Sequence, residues 1–185
     1  MAENVIVRAA TADDAPALAA IYGHHCCHGF GTFEETAPSA EDMAGRLAAL
    51  RGYGLPYLVA ELDGEIAGFA YAGPFRPRAA YRYTVEDSVY VAPDRVGLGV
   101  GKALVAQVIA DCEALGLRQI MAVIGDSANA ASIGLHRSLG YELMGIMPAV
   151  GHKFGRWVDI VFMQRALNSG SQTSPDGPGL ELRGH

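Results

Sequence analysis

Three glycines at alternate positions, Gly97, Gly99 and Gly101, separate an apolar segment from Lys102. Residues 83–92 alternate β-branched and aromatic side chains and stop at Ala92-Pro93; Lys102 opens an amphipathic stretch. Strand, glycine turn and helix N-terminus in series make an anion cradle. Glycine lets backbone come close to a phosphate, and the first free N–H groups and the dipole of the helix favour negative charge. The plainer alternative is a flexible loop. Gly101-Lys102 lacks the upstream glycine spacing of a P-loop, and Ala103 stands where that motif has Ser or Thr. The spacing is not that of a dinucleotide fingerprint either, and no acidic ribose partner is in evidence. The remaining fit is a loop for the pyrophosphate of an acyl-coenzyme A.

Other side chains could do proton or anion chemistry. Glu86, Asp87 and Ser88 lie on the segment leading into the loop; Glu86 is either a general base or an ordinary strand carboxylate. Asn129 and Ser132 are three apart at a helix start, the spacing of a cap and its turn, and His136 follows on the same helical face. Histidine titrates near neutrality and can pass a proton; a satisfied helix histidine is the alternative. Arg76 and Arg78 flank Pro77, and one guanidinium can hold a carboxylate by two parallel hydrogen bonds. His24 and His28 sit one helical turn apart around Cys26-Cys27, but no second ligand cluster follows at finger spacing. No metal is expected.

The elements that position these groups follow from patterning. Residues 5–8 predict a strand, and Thr11 caps a helix carrying Leu18, Ile21 and Tyr22. Ser39 starts a second helix with Met43, Leu47 and Leu50, ending near Gly52. Segments 57–62 and 65–72 read as a hairpin turning at Asp63-Gly64. The helix from Lys102 has Leu104, Val105, Val108, Ile109, Cys112 and Leu115 on its apolar face, with Gly116 past its end. Segment 119–124 reads as a buried parallel-type strand, 128–139 as a helix closed by Gly140, and 142–150 and 157–164 as closing strands. The order β-α-α-β-β-β-α-β-α-β-β is α/β.

At 185 residues, the chain suits one domain with an ample core. Residues 1–167 are read as that domain, and the Ser-, Gly- and Pro-rich residues 168–185 as a disordered tail. A net charge of −6 argues against a nucleic-acid surface. No apolar run reaches membrane-spanning length, and the N-terminus lacks a secretory pattern, so a cytoplasmic location is expected, with Cys26, Cys27 and Cys112 reduced.

The element order, with a glycine loop after the fourth strand, resembles the GCN5-related N-acetyltransferase (GNAT) superfamily. Asn129-Ala-Ala-Ser132 with Leu135-His136 and Gly140-Tyr141 looks like its second motif. Residues 83–91 (YTVEDSVYV), 122–125 (AVIG), 73–77 (GPFRP) and 151–159 (GHKFGRWVD) resemble the phosphinothricin and methionine sulfoximine acetyltransferase branch. The resemblance spans residues 5–167. One departure stands at Val96, where the superfamily usually opens its loop with Gln or Arg; Arg95 is one residue earlier.

The resemblance implies a mixed, mostly antiparallel sheet of about seven strands with about four helices, splayed between strands 4 and 5. It implies an acetyl-CoA-dependent N-acetyltransferase for the α-amine of a small amino-acid-like substrate of phosphinothricin, methionine sulfoximine or methionine sulfone type, acting as a homodimer without nucleic acid or membrane. Acetyl-CoA would lie on Val89, Tyr90 and Val91, whose strand would carry a bulge, on Gly97, Leu98, Gly99, Val100, Gly101 and Lys102, and on Asn129 and Ser132. Glu86 would be the base and His136 the acid that protonates the thiolate. The substrate would meet Phe33, Phe75, Arg76, Pro77, Arg78, Glu86, Asp87 and Ser88, under a roof formed by residues 24–33, with Lys153 and Trp157 reaching the pocket or a twofold partner. A different amine, such as a polyamine or peptide N-terminus, and a non-catalytic CoA-binding domain are the alternatives.

Overall fold

The computed structural model describes residues 5–182 of the chain. Seven strands form one sheet in the order β1-β2-β3-β4-β5-β7-β6. They are β1 (Ile6–Ala9), β2 (Tyr57–Leu62), β3 (Glu65–Pro74), β4 (Thr84–Val91), β5 (Gln119–Gly125), β6 (Glu142–Lys153) and β7 (Arg156–Ala166). Helices α1 (Ala15–His28) and α2 (Ala40–Arg51) cover one face, α3 (Val100–Ala114) and α4 (Ala130–Ser138) the other. Only β4 and β5 run parallel; the other neighbours are antiparallel. The α/β fold and the sheet composition agree with the sequence reading.

Local chemistry accounts for the element ends. Ser39 Oγ accepts the Asp42 N–H at 3.1 Å while the Asp42 carboxylate accepts the Ser39 N–H, a reciprocal cap that starts α2. Asp63 and Gly64 both adopt positive φ, the requirement of the tight β2–β3 turn. The apolar stripe of α3 buries Leu104, Val105, Val108, Ile109 and Cys112, whereas Leu115, expected on that face, is half exposed beyond the helix end. The α3 start is two residues earlier than Lys102, because Gly99 already takes the N-cap position.

Alternation along the strands divides the core. Leu58, Ala60 and Val85 pack toward α3, while Tyr57, Val59 and Phe69 pack toward α1 and α2. On β4 this puts Asp87, Val89 and Val91 on the α3–α4 side, and Glu86, Ser88 and Tyr90 on the α1–α2 side.

The segment with a composition typical of disorder makes specific contacts as far as it is described; residues 183–185 lie outside the described residues. Arg118, itself buried, donates to the Gly170 carbonyl at 2.8 Å and to Thr173 Oγ1 at 2.6 Å. Tyr83 donates its hydroxyl to the Gly177 carbonyl, and Leu180 packs against the α3-side core. Polar anchors on backbone carbonyls hold this chain, which is why hydrophobic patterning does not reveal it. Among the described residues no helix is long and apolar enough to cross a membrane.

Candidate active site

Strands β4 and β5 pair only from Thr84 opposite Gln119 to Asp87 opposite Ala122. Beyond that point β4 keeps β3 as its partner and β5 keeps β7, so the two strands part at Ser88. The β3–β4 register runs unbroken from Pro74–Val85 to Gly68–Val91. The splay therefore arises without the register shift expected of a bulge. A cleft of about 610 Å³ opens there. It is lined by residues 87–91, by Gly97, Gly99, Val100, Gly101 and Lys102, by Ile124 and Gly125, and by Asn129, Ser132 and His136.

The three glycines serve different ends. Gly97 and Gly99 have φ of 83° and 86°, with nothing near where a Cβ would stand. They turn the chain so that the amides of Val100, Gly101 and Lys102 precede the first helical hydrogen bond, Ala103 N–H to Gly99 O at 3.0 Å. Gly101 is needed for packing: its Cβ would stand 2.8 Å from Leu135 Cδ1, so it lets α4 close on α3. Positive-φ glycines, open space and free helix-terminal amides fit a pyrophosphate at the cleft mouth, and the released β4 edge fits an extended arm beside it. Leu98 points outward from this turn and does not line the cleft. Val96 is 62% exposed, and Arg95 is turned to Asp63 and Glu65 in the β2–β3 hairpin, at 3.5 and 3.0 Å. Arg95 thus lines the cleft with its guanidinium tied to the β2–β3 hairpin.

On the α4 side of β4, Asp87 and His136 form a buried pair, 4% and 2% exposed. His136 Nε2 donates to Asp87 Oδ2 at 3.0 Å, and its Nδ1 lies 2.8 Å from the Ser132 carbonyl. Both ring nitrogens face acceptors. Burial alone would lower the His136 pKa, but the hydrogen bond and charge of Asp87 and the Ser132 carbonyl outweigh it and raise the value above that of an ordinary histidine. The other Asp87 oxygen accepts the Tyr141 hydroxyl at 2.9 Å. With both oxygens engaged, Asp87 orients His136, in place of the substrate contact expected of it. Asn129 caps α4, its Oδ1 accepting the Ser132 N–H at 3.1 Å, so the local capping reading and the cleft-lining position both hold.

On the opposite side of β4, Glu86 is half buried, facing the strand partner Gly73, which has no side chain to fill the space. Burial raises its pKa, the positive charge of Arg76 lowers it, and Asp87 raises it again. Tyr71 stands opposite Ser88 on β3 and stacks on Tyr57 at 4.9 Å. Arg76 is exposed; its guanidinium lies 4.5 Å over the Phe75 ring and donates to the Phe75 carbonyl at 3.0 Å. Phe75, Arg76 and Pro77 line a second, shallower recess with Leu182 and Tyr53. Arg78 precedes the short turn at 79–81 and is exposed. Phe33 comes instead to the end of β5 and to the β6–β7 hairpin, where a Cβ on Gly151 would lie 2.2 Å from its ring.

Sequence reasoning missed several participants. His25, not His24 or His28, reaches the cleft and donates Nε2–H to the Val91 carbonyl at 2.9 Å. Tyr141 is marked only as part of the 129–141 segment, without a role, and Tyr71 has no motif to mark it. Lys153 turns inward and is almost wholly buried, while Trp157 is 65% exposed; neither lines the cleft. Among the described residues no group of three or more His, Cys, Asp or Glu is arranged to hold a metal ion.

The chain is similar to known proteins over most of its length. The chain is 52% identical to a phosphinothricin N-acetyltransferase of Alcaligenes faecalis, over 92% of this chain and 86% of that one. It is 44% identical to an L-methionine sulfoximine/L-methionine sulfone acetyltransferase of Pseudomonas aeruginosa, over 88% of this chain and 94% of that one. The solved structure of a phosphinothricin acetyltransferase from Sinorhizobium meliloti in complex with AcCoA superposes with a TM-score of 0.92 at 46% identity, covering 97% and 96% of the two chains. Residues 20–141 match the acetyltransferase (GNAT) family profile. The splayed strands, the glycine turn on α3 and these likenesses agree: the chain belongs to the acetyltransferase (GNAT) family, whose acetyl donor is acetyl-coenzyme A.

Proposed function

We propose that this protein transfers acetyl from acetyl-CoA to the α-amine of a small amino-acid-like acid of the phosphinothricin, methionine sulfoximine or methionine sulfone type. Acetyl-CoA, when bound, supplies an activated thioester. The amides of 97–102, with Asn129 and Ser132, would hold it, and the β4 edge at Val89, Tyr90 and Val91 would align it. The amine must lose a proton before it can attack, and Glu86 is suited to take it. The single observation carrying this role is a half-buried carboxyl on the strand that splays, biased toward its neutral form by burial yet within the field of Arg76. His136 would return a proton to the departing thiolate. Its two nitrogens face only acceptors at short range, so it is built to carry a proton there.

Arg76 separates this reading from a polyamine acetyltransferase, because a guanidinium near Glu86 offers a bidentate partner for an α-carboxylate and would repel a second ammonium. Phe75, Pro77, Arg78 and Ser88 would complete the acceptor surroundings. The reading places the enzyme in the cytoplasm, where acetyl-CoA is available and where Cys26, Cys27 and Cys112, all free, remain reduced. It also assigns a twofold dimer through β6, a sheet-edge strand with apolar side chains in solvent.

Thiol release from acetyl-CoA, screened over methionine sulfone, methionine sulfoximine, phosphinothricin, their carboxamides and simple polyamines, tests the assignment. The free acids should exceed their amides by about one to two decades in kcat/KM, the worth of a charge-assisted bidentate pair. Equal turnover of acid and amide, or a preference for polyamines, would overturn the amino-acid reading.

A further inference from the structure

Lys153 ends β6, one residue before the turn at Phe154-Gly155, and is 1% exposed. Strand-end lysines usually snorkel to water. This one points inward, and its Nζ donates to the carbonyls of Gly29 and Thr32, both at 2.8 Å, and of His25 at 3.4 Å. An ammonium has three donors, and here each has a backbone acceptor. The His25 carbonyl belongs to the last turn of α1, where a cation also meets the negative end of the helix dipole. The Gly29 and Thr32 carbonyls belong to the crossing between α1 and α2.

Other contacts converge on that crossing. The Arg156 guanidinium lies 3.8 Å over the Phe30 ring, and Phe154 meets the same ring edge-on at 5.5 Å. A Cβ on Gly125, the last residue of β5, would stand 2.0 Å from the Phe30 carbonyl. Residues 29–33 are therefore keyed to the hairpin and to the end of β5. Gly29, Phe30 and Gly31 in turn line the cleft where β4 and β5 part, and His25 grips Val91 beside them.

We propose that Lys153 is a positioning residue for the acceptor: by pinning residues 29–33 to the β6–β7 hairpin, it sets the wall against which the amine substrate lies. This inference rests on the acetyl-transfer reading above and extends it to a side chain outside the cleft. Lys153 bonds to the carbonyls of His25, Gly29 and Thr32 and to none of the glycine-turn residues 97–102, which would hold the acetyl donor. Loosening the pin should therefore act on the amine alone.

The test compares Lys153→Met, which keeps length and apolar bulk but no donor, with Lys153→Arg, which restores donors in a longer fork. With methionine sulfone and acetyl-CoA as probes, Lys153→Met should raise the amine KM about tenfold or more, the scale of a displaced positioning wall. The acetyl-CoA KM should stay within about twofold, and Lys153→Arg should recover part of the loss. Hydrogen exchange at residues 29–34 should quicken in Lys153→Met while exchange in α3 does not. Should Lys153→Met fail to fold, Arg156→Ala loosens the same crossing from the exposed side and should show the same split to a smaller degree. A folded variant with an unchanged amine KM, or with both KM values raised alike, overturns the pin. A wild-type protein that acetylates no amino acid overturns the acetyl-transfer reading and the pin together, a result distinct from failure of the pin alone.

Discussion

Glu86 and His136 are both held off their ordinary protonation range, and the signs differ in consequence. Burial raises the Glu86 carboxyl, so the fold favours its neutral form; that preference is lost as pH rises through the raised value. Ionised Glu86 is therefore a cost to the fold at neutral pH, and Glu86→Gln should raise Tm slightly at pH 7 while lowering turnover about 10²–10⁴-fold. The wild-type kcat/KM should climb with pH above the usual carboxylate range; Glu86→Gln should lose that limb, and its deficit should shrink at higher pH as free amine becomes abundant. His136 is the opposite case: its raised value favours the charged form. The stability from the Asp87 pair is present below the ordinary histidine value and is lost as pH climbs through the raised one. A pH–rate profile checks both groups at once. A Glu86→Gln enzyme that keeps the wild-type rate and the wild-type limb would remove Glu86 from the chemistry.

The glycine turn shows how an element can be built from residues with unlike duties. Gly99 is the N-cap of α3 at φ 86°, a conformation costing a non-glycine residue about 1–2 kcal/mol. Gly99→Val should raise the acetyl-CoA KM sharply, because the turn must rotate the amides of 100–102 away to relieve that strain, while the amine KM moves little. Isothermal titration with acetyl-CoA measures it directly, and unchanged binding would sink the loop assignment. Gly101 acts through packing of α4 on α3, and its replacement should disturb His136 before it disturbs phosphate binding.

Over the whole molecule, β6 is the strand with the most apolar surface in solvent at a sheet edge. It is an edge strand twelve residues long whose only partner among the described residues is β7. Leu143, Met144, Ile146 and Met147 are each about half exposed, with Val150 and Trp157 beyond them. Edges of this length and apolarity invite pairing, and protection by a second copy is the reading offered above. Ile146→Glu should then give a monomer by sedimentation, with Tm reduced and dependent on protein concentration in the wild type only. A wild type that sediments as a monomer at every concentration would count against the dimer. Because the hairpin of β6 and β7 also carries Lys153, such a dimer would steady the acceptor wall.

Periodicity and turn chemistry in the sequence determined the element order, the α3 stripe from Leu104 to Cys112, and the Asp63-Gly64 hairpin, because each depends on neighbours a few residues apart. The glycine spacing likewise marked the turn into α3. Nothing local distinguishes Asp87 from Glu86, yet alternation on β4 sends one to His136 and Tyr141 and the other to the face of Arg76. Nothing local turns Lys153 inward or brings His25 to Val91, and the polar anchors on Arg118 leave no pattern in residues 168–182. These depend on which strands become neighbours and where β4 leaves β5. Contacts between residues tens of positions apart exist only once the sheet has closed, and for that reason only the tertiary structure decided them.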